Sequence, residues 1–230
     1  MKAKLVVLSG AGISAESGIR TFRDSDGLWE NYRVEDVASI DGWYRDPEMM
    51  TRFYNERRAQ LEHCQPNAAH VILADLEVFF NVVIITQNVD NLHERAGSKQ
   101  VIHLHGELTK ACSEHGKKQV HDIGYRAMKY GERGADGALL RPFIVWFGED
   151  VPMLAVAIEE MQTADHVLII GTSLNVYPAA SLYHYAPKHA QLWMIDPNDT
   201  QPVQRPITHI RAKATEGMKQ WKNLVLPDNL

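Results

Sequence analysis

The sequence predicts an α/β protein: a Rossmann-like parallel sheet with helices on both faces, plus a smaller inserted module. Short apolar runs recur along the chain with the length and composition of buried strands, and segments with helical periodicity lie between most of them. Strands that alternate with helices are typical of a parallel sheet covered on both sides. At 230 residues, 45% of them hydrophobic, the chain can bury one large core.

The predicted elements follow in chain order. Strands are expected at 5–8, 82–86, 100–103, 144–147, 166–170 and 191–195. Helices are expected at 47–61, 66–79, 153–161 and 215–224, the first beginning with Pro47, a residue favoured at the first helical position. Residues 197–206, rich in proline and polar residues, predict a loop.

Two segments interrupt this alternation and define the predicted organisation. Residues 24–62 read as a helical insertion, and 108–141 as a polar insertion with several glycines. We therefore expect a single domain over 1–230, with a core of about 1–23, 63–107 and 142–230. The two insertions would form the smaller module.

A glycine-rich stretch directly follows the first predicted strand. Gly10, Gly12 and Ala15 have the G-x-G-x-x-G/A spacing of a dinucleotide-binding turn. Gly10 would allow a sharp turn, Gly12 a close approach to a pyrophosphate, and Ala15 close packing of a following helix on the strand. The spacing alone also suits a plain strand-to-helix turn.

Polar residues follow three other predicted strands. Gln87, Asn88 and Asp90 come after the second strand, where amides could recognise a carboxamide or ribose hydroxyls. A helix-capping turn is an equally good interpretation of these residues. The segment 171–173, Gly-Thr-Ser, could bind phosphate or ribose. Asp196 could accept bonds from ribose hydroxyls or cap a helix.

Two histidines follow the third predicted strand. Alternation along a strand places His103 and His105 on one side and Leu104 on the other. A histidine at a strand end is a candidate general base because its pKa lies near neutrality. A hydrogen-bonded histidine without a catalytic role is the alternative for each of them.

Composition excludes several function classes. With 24 basic and 29 acidic residues, the net charge of −5 carries no signature of nucleic-acid binding. No apolar run reaches the roughly 18 residues of a membrane helix. Two cysteines do not suggest a disulfide framework. We expect a cytoplasmic monomer that contacts neither nucleic acid nor membrane.

Together these motifs resemble the sirtuins, which are NAD-dependent protein-lysine deacylases. The matching segments are 10–23 (GAGISAESGIRTFR), 86–97 (TQNVDNLHERAG), 103–108 (HLHGEL), 141–149 (RPFIVWFGE) and 171–173 (GTS). They occur in the family's order and span roughly residues 4–218.

The resemblance implies NAD as co-substrate and acylated protein lysines as partners. The implied catalytic residues are His105 as general base, with Asn88 and Asp90 lining the nicotinamide pocket. The implied cofactor-binding residues are Gly10, Ala11, Gly12, Ala15, Thr21, Phe22, Arg23, Trp29, Gln87, Asn88, Val89, Asp90, Gly171, Thr172, Ser173, Asp196 and Ala214. Asp196 stands where the family usually has asparagine, and a carboxylate there should reject a 2′-phosphate.

The implied reaction starts when the acyl oxygen attacks C1′ of the nicotinamide ribose. His105 accepts a proton relayed from a ribose hydroxyl, and the products are nicotinamide, free lysine and 2′-O-acyl-ADP-ribose. Val145, Phe147 and Gly148 would line the acyl-lysine tunnel and pair with the substrate peptide as an added strand.

A second resemblance narrows the acyl group. Tyr54 and Arg57 match the Tyr-x-x-Arg of the class III sirtuins, which prefer succinyl and malonyl groups. Residues three apart share a helix face, and a guanidinium beside a tyrosine hydroxyl can hold a carboxylate. Ala38 matches the small residue that widens this class's acyl pocket. Acetyl-lysine should also fit, and a structural surface pair is the alternative interpretation.

The chain departs from the family at its zinc module. Sirtuins usually hold a structural zinc with two Cys-x-x-Cys pairs, whereas this insertion has Cys112, His115 at the second position, and no second pair. His121, Glu132 and Asp136 are conceivable substitutes. We expect no bound zinc and a module held by packing around Ile123, Met128 and Tyr130.

Three rival functions use part of the same pattern. A nicotinamide-dependent dehydrogenase would explain the glycine-rich turn and Asp196, but not the segment 87–90 or His105. A mono-ADP-ribosyltransferase would use the same NAD site. An ADP-ribose-binding pseudoenzyme is the non-enzyme alternative, against which the intact His105, Asn88 and Asp90 argue.

Overall fold

The computed structural model describes residues 2–19, 28–29, 32–115, 117, 119–199 and 204–226. Its strands are β1 (Lys4–Ser9), β2 (Leu28–Trp29), β3 (Tyr32–Arg33), β4 (Asn81–Thr86), β5 (Val101–His103), β6 (Gly106–Ser113), β7 (His121–Asp122), β8 (Leu140–Ile144), β9 (His166–Ile170), β10 (Gln191–Ile195) and β11 (Thr208–Ile210). Its α-helices are α1 (Val34–Val37), α2 (Ile40–Arg45), α3 (Pro47–His63), α4 (Ala68–Asp75), α5 (Leu92–Ala96), α6 (Leu154–Met161) and α7 (Ala214–Val225). Shorter 3₁₀ helices span Ala11–Ile13, Ala15–Ser17, Leu76–Val78 and Ala179–Tyr185.

Six strands form one parallel sheet in the order β11-β10-β9-β1-β4-β5. The apolar runs predicted at 5–8, 82–86, 100–103, 166–170 and 191–195 all lie in this sheet, which confirms the α/β prediction. Strand β1 lies between β4 and β9, so the sheet grows from β1 through β4 and β5 on one side and through β9, β10 and β11 on the other. A doubly wound sheet binds ligands at such a crossing point, outside the carboxyl ends of the strands.

Both faces of the sheet are covered by helices. Along β1, Val6 and Leu8 face a core that includes Met161 of α6 and Leu182 of the fourth 3₁₀ helix. Leu5 and Val7 face the opposite core, which contains Leu73 of α4 and Trp221 of α7. Because alternate side chains of a strand point to opposite faces, this uninterrupted apolar run fits a strand buried on both sides.

The smaller part of the molecule combines helices α1–α3 with a three-stranded antiparallel sheet in the order β7-β6-β8. Helix α3 ties the two together: Arg58 donates from Nε to the carbonyl of Leu108 at 2.6 Å, and Asn55 bonds both backbone groups of Met128. Side chains of one helix thus hold strand β6 and the loop that contains Met128. The residue boundaries proposed for core and module stay a prediction.

The packing expected around the module is only partly correct. Met128 is buried, Ile123 is half-buried, and Tyr130 is 48% exposed, so Tyr130 is wrongly assigned to the module's core. The side chain of Arg58 is buried beside Met128 instead and satisfies carbonyl groups there.

Two predicted elements differ from the structure. The strand expected at 144–147 is β8, which ends at Ile144 and belongs to the small antiparallel sheet. The described residues directly after the glycine-rich turn form two 3₁₀ helices and no α-helix, and Gly18 ends the second with a left-handed φ of 89°. Ala15 is exposed, so it does not pack on the strand as predicted, and the buried Ile13 makes that contact.

The predicted helices form near their expected limits, as α3, α4, α6 and α7. Helix α4 begins at a capping box in which the Asn67 side chain accepts a bond from Ala69 N–H and the His70 ring bonds the Asn67 backbone. The chain turns into a 3₁₀ helix at Leu76, which explains why a continuous helix over 66–79 was too long. Strand β11 and the 3₁₀ helix Ala179–Tyr185 carried no clear periodic signal.

Candidate active site

Four turns meet at the carboxyl edge of the parallel sheet. They follow β1, β4, β5 and β9 and contain the glycine-rich stretch, the segment 87–90, His105 and the segment 171–173, while His103 is the last residue of β5. Since all these strands run in the same direction, the polar groups of these four segments are brought to one edge, whereas Tyr54 and Arg57 lie on helix α3.

The glycines allow two of these turns to touch. A Cβ atom at Gly12 would lie 2.7 Å from the Cα of Gly171, and one at Gly10 would lie 2.8 Å from the Gly171 oxygen. Gly12 N–H donates to the Gly171 carbonyl at 2.9 Å, and Gly171 has a left-handed φ of 64°. The sequence predicted that Gly12 admits a ligand; the structure adds that it admits the neighbouring turn.

A buried hydrogen-bond network lies beneath these turns. The Ser14 hydroxyl donates to Oδ2 of Asp90 at 3.0 Å and accepts from Nδ2 of Asn88 at 3.2 Å. Burial raises the pKa of Asp90, while bonds from the Leu92 N–H and from Ser14 act in the opposite direction. Sequence reasoning gave Ser14 no role, although it lies within the matched segment 10–23.

The segment 86–89 is fixed through all four of its carbonyl groups. The N–H groups of Leu104 and Leu108 donate to Thr86 and Val89, at 2.9 and 2.8 Å. The rings of His105 and His103 bond the intervening carbonyls of Gln87 and Asn88, each at 3.0 Å from Nδ1. Buried carbonyl groups need such donors, so the segment 103–108 determines the conformation of the loop that carries Asn88 and Asp90.

The bond to Gln87 settles which nitrogen of His105 carries the proton. A carbonyl oxygen only accepts, so Nδ1 of His105 must be the donor. The neutral ring therefore has a free lone pair on Nε2, and burial lowers the pKa of His105. His105 is consequently a neutral ring at neutral pH, able to accept a proton at Nε2. Leu104 is fully buried in the core, which confirms the predicted alternation.

The predicted substrate strand follows β8 and is joined to its surroundings through the backbone. Val145 N–H donates to the His105 carbonyl at 2.9 Å, and Phe147 N–H donates to the Ala38 carbonyl at 2.8 Å. Trp146 N–H donates to the carboxylate of Glu149. These three N–H groups are already used, so an added peptide strand must pair through other groups. The Phe147 side chain is 50% exposed, and Gly148 has a left-handed φ of 91°.

Tyr54 and Arg57 lie one turn apart on α3, as the spacing predicts, and both are buried. The Tyr54 hydroxyl donates to the Val37 carbonyl at 2.8 Å and accepts from the indole N–H of Trp146 at 2.8 Å. Its only proton is thus engaged, contrary to the expectation that it would serve an acyl carboxylate directly. Burial raises the pKa of Tyr54 well above its usual range.

Arg57 has a partner that sequence reasoning missed. Its Nη1 donates to Oε1 of Gln60 at 2.9 Å, and Nε2 of Gln60 donates to the Gly18 carbonyl at 3.5 Å. The i, i+3 spacing of Arg57 and Gln60 could have revealed this pair.

The remaining predicted cofactor residues lie around the same edge. Gln87 donates to the Thr172 hydroxyl at 3.1 Å, and Asp196 is buried at the end of β10, where Oδ1 accepts from Asn198 N–H. Ala11, Val89 and Ser173 are half-buried, and Ala214 is buried at the first position of α7. Thr21, Phe22, Arg23 and the side chain of Trp29 lie outside the described residues.

The donors near Cys112 do not fit a zinc ion. Within the described part of the chain, no group of three or more His, Cys, Asp or Glu side chains is arranged to hold a metal. Cys112 is buried with Sγ beside the Pro142 carbonyl, and burial raises the pKa of its thiol to about 11. Zinc binds the thiolate, which this environment disfavours.

No α-helix in the described part of the chain is long and apolar enough to cross a membrane.

The chain is similar in sequence to proteins of one family. The family model described as "Sir2 family" matches residues 10–178. A protein of Bacteroides thetaiotaomicron named NAD-dependent protein deacylase is 53% identical over 231 residues, which cover 97% of this chain and 98% of that protein. A protein of the same name from Helicobacter pylori strain 26695 is 54% identical over 193 residues, 84% of each chain.

Solved structures give the same result. A mutant Sir2 homologue in complex with ADP ribose superposes with a TM-score of 0.88 at 39% identity, covering 99% of this chain and 96% of that one. A Sir2 protein solved with a deacetylated peptide and 3′-O-acetyl ADP ribose has a TM-score of 0.81 at 32% identity, covering 97% and 94% of the two chains.

Proposed function

Because the chain belongs to the Sir2 family and is an NAD-dependent protein deacylase, we propose that it acts on lysines carrying acidic acyl groups. Succinyl and malonyl groups are the preferred substrates in this proposal, and acetyl is a weaker one. One observation carries it: a buried guanidinium, Arg57, lies on the helix face that also presents Tyr54.

Arginine suits a carboxylate-terminated acyl group in both geometry and charge. Its planar donors match the two oxygens of a carboxylate, and the interaction gains strength where water is excluded. Arg57 is only 6% exposed. Gln60 fixes one of its donor groups, which reduces the entropy lost when a carboxylate binds.

The segment containing Ala38 lies between α3 and the proposed substrate strand. Its carbonyl bonds Phe147, and the neighbouring Val37 carbonyl bonds the Tyr54 hydroxyl. The methyl group of Ala38 takes up less volume, at the point where these two elements approach each other, than a larger side chain would. We therefore place the acyl chain beside Ala38, with its carboxylate directed toward Arg57.

The donor set at the sheet edge fits NAD as co-substrate. The glycine-rich turn would receive the phosphates, the hydroxyl of Thr172 and the amide of Gln87 would bond ribose, and Asp196 would accept from the adenosine ribose. Asn88 and Asp90, held by Ser14, would line the nicotinamide pocket.

His105 supplies the base of the proposed reaction. Its Nδ1 proton is committed to the Gln87 carbonyl, so Nε2 is the atom that takes the proton from the ribose hydroxyl. The bond also holds the ring at the position that the loop 86–89 defines. In this arrangement a single carbonyl group both orients the base and selects its tautomer.

The test compares removal of succinyl and acetyl from otherwise identical lysine peptides, with nicotinamide release measured in parallel. We expect Arg57→Met to lower kcat/KM for the succinyl peptide at least tenfold more than for the acetyl peptide, as the loss of a charge-assisted pair of about 1.5–3 kcal/mol implies. His105→Tyr should abolish both reactions.

Arg52→Met is the matched control. Arg52 lies on the same helix but is exposed and pairs with Glu48, so its loss should leave both activities unchanged. Equal losses of both activities in Arg57→Met would make Arg57 structural and refute the acidic preference. If the wild-type protein released no nicotinamide with either peptide, the chain would act instead as an ADP-ribose-binding pseudoenzyme.

A further inference from the structure

We infer that His103 is a positioning residue for the nicotinamide pocket: its charged ring, held between Glu94 and the Asn88 carbonyl, fixes the loop that carries Asn88 and Asp90. The inference rests on the proposed placement of nicotinamide at this loop, and not on the acyl preference. His103 does not reach the reacting atoms in this proposal; it acts through the backbone of residue 88.

Hydrogen-bond geometry assigns a positive charge to His103. Nδ1 lies 3.0 Å from the Asn88 carbonyl, which can only accept, so Nδ1 carries a proton. Nε2 lies 2.7 Å from Oε1 of Glu94, and an ionised carboxylate also only accepts, so Nε2 carries a proton as well. A ring with two donors is an imidazolium.

Burial makes this charge dependent on its partner. The His103 side chain is 6% exposed, whereas Glu94 is 39% exposed and can remain hydrated. Burial alone opposes the charged ring, but the bond to Glu94 and the carboxylates of Glu94 and Glu107 raise the pKa of His103 overall. Without Glu94, the ring would lose the interaction that keeps it protonated.

The other ionisable groups around the ring come from each element packed against it. Asp90, on the loop after β4, is stabilised as a carboxylate by the positive ring, and His93 of α5 is disfavoured as a cation by it. Lys110 of β6 pairs with Glu107 at 2.7 Å, which limits the effect of that carboxylate on His103. Glu94 therefore remains the main determinant of the His103 charge.

The two histidines of this segment thus differ in charge, His105 being neutral and His103 positive, but they have similar structural roles. Both anchor consecutive carbonyls of one loop, His105 at Gln87 and His103 at Asn88. The bond made by His103 is the charge-assisted one, and such bonds are about twice as strong as neutral ones. Of the four donors to the segment 86–89, His103 is the one that titration can weaken.

The raised pKa of His103 sets an upper pH limit for its ion pair with Glu94. The ion pair is fully formed below the ordinary pKa of histidine and is lost as pH rises through the raised pKa of His103. NAD affinity should therefore fall on the alkaline side. In Glu94→Gln, whose side chain keeps its size, this fall should begin about one pH unit lower or more.

The experiment measures NAD binding without peptide as a function of pH, together with the ¹⁵N chemical shifts of the histidine rings. Variants are Glu94→Gln and, as a matched control, Glu160→Gln, a similarly exposed carboxylate that pairs with Lys4 at 2.6 Å near the amino end of β1. We expect doubly protonated His103 near neutral pH in wild type and control, and an earlier loss of charge and NAD affinity in Glu94→Gln.

A third variant, His103→Leu, removes both donors and should weaken NAD binding about tenfold while removing its alkaline pH dependence. A neutral His103 ring in the wild type near pH 7 would overturn the inference. So would a Glu94→Gln profile of NAD affinity that coincides with the wild-type profile. Because no acyl peptide is present, failure of the acyl proposal leaves this result unaffected.

Discussion

Removal of the Tyr54 hydroxyl tests how far the proposed acyl pocket depends on hydrogen bonds within the protein. In Tyr54→Phe, the Val37 carbonyl loses its donor and the Trp146 indole loses its acceptor, both in buried surroundings. Each buried polar group left without its partner costs about 1–3 kcal/mol. We therefore expect a loss of about 3 kcal/mol in the free energy of unfolding.

The expected loss of unfolding free energy can be measured as a fall in melting temperature. For a chain of 150–250 residues, 1 kcal/mol corresponds to about 2–4 °C, so Tyr54→Phe should melt about 10 °C below wild type. Tyr44→Phe, at a tyrosine that is 76% exposed on α2, is the control and should melt at the wild-type temperature.

Activity measurements distinguish a structural role of the Tyr54 hydroxyl from a role in substrate binding. Since the single proton of Tyr54 is donated to Val37, its loss should lower kcat/KM for succinyl and acetyl peptides by similar factors. The assay is the same pair of peptides at a temperature well below the lowered melting point. An unchanged melting temperature with selective loss of succinyl activity would refute this reasoning and indicate that the Tyr54 hydroxyl binds the substrate.

Two further outcomes follow from the pKa shifts. Burial lowers the pKa of His105, so deacylation should continue as the pH falls to the ordinary histidine pKa of about 6.5 and decline only below it. A pH profile of kcat/KM measures this. A decline that starts above that value would contradict the role of His105 as the base. Burial raises the Cys112 thiol pKa to about 11, which disfavours the thiolate that a metal would bind. Excess chelator should therefore leave both the melting temperature and the activity unchanged. A lower melting temperature in chelator would indicate a bound structural metal.

The fold was largely predictable because its main signal is local. Runs such as Leu5–Leu8 are buried on both sides, so uninterrupted apolar sequence identified the central strands. The glycine-rich turn misled the prediction in one respect. Its spacing predicted an α-helix packed through Ala15, whereas Gly18 closes a pair of 3₁₀ helices and Ile13 makes the contact. Short-range spacing does not distinguish these outcomes.

The sequence predicted that several candidate residues lie at one edge of the sheet, but it did not predict the hydrogen bonds that join them. Residue types and spacing brought Asn88, Asp90 and His105 to one edge. Ser14, which bonds both Asn88 and Asp90, is 76 positions away from Asp90 in the sequence. Contacts that join distant segments depend on the assembled fold, and no local pattern encodes them.

His103 and His105 show why charge states belong to this unpredictable part. Alternation along a strand correctly places both rings on one side, and their sequence surroundings are nearly the same. Their pKa values nevertheless move in opposite directions, because one ring also meets Glu94, a residue of another element. The sequence contains both glutamate and histidine, but only folding brings them within 2.7 Å. Two histidines at alternate positions of one strand end can therefore have pKa values shifted in opposite directions, because a single carboxylate lies beside one of them.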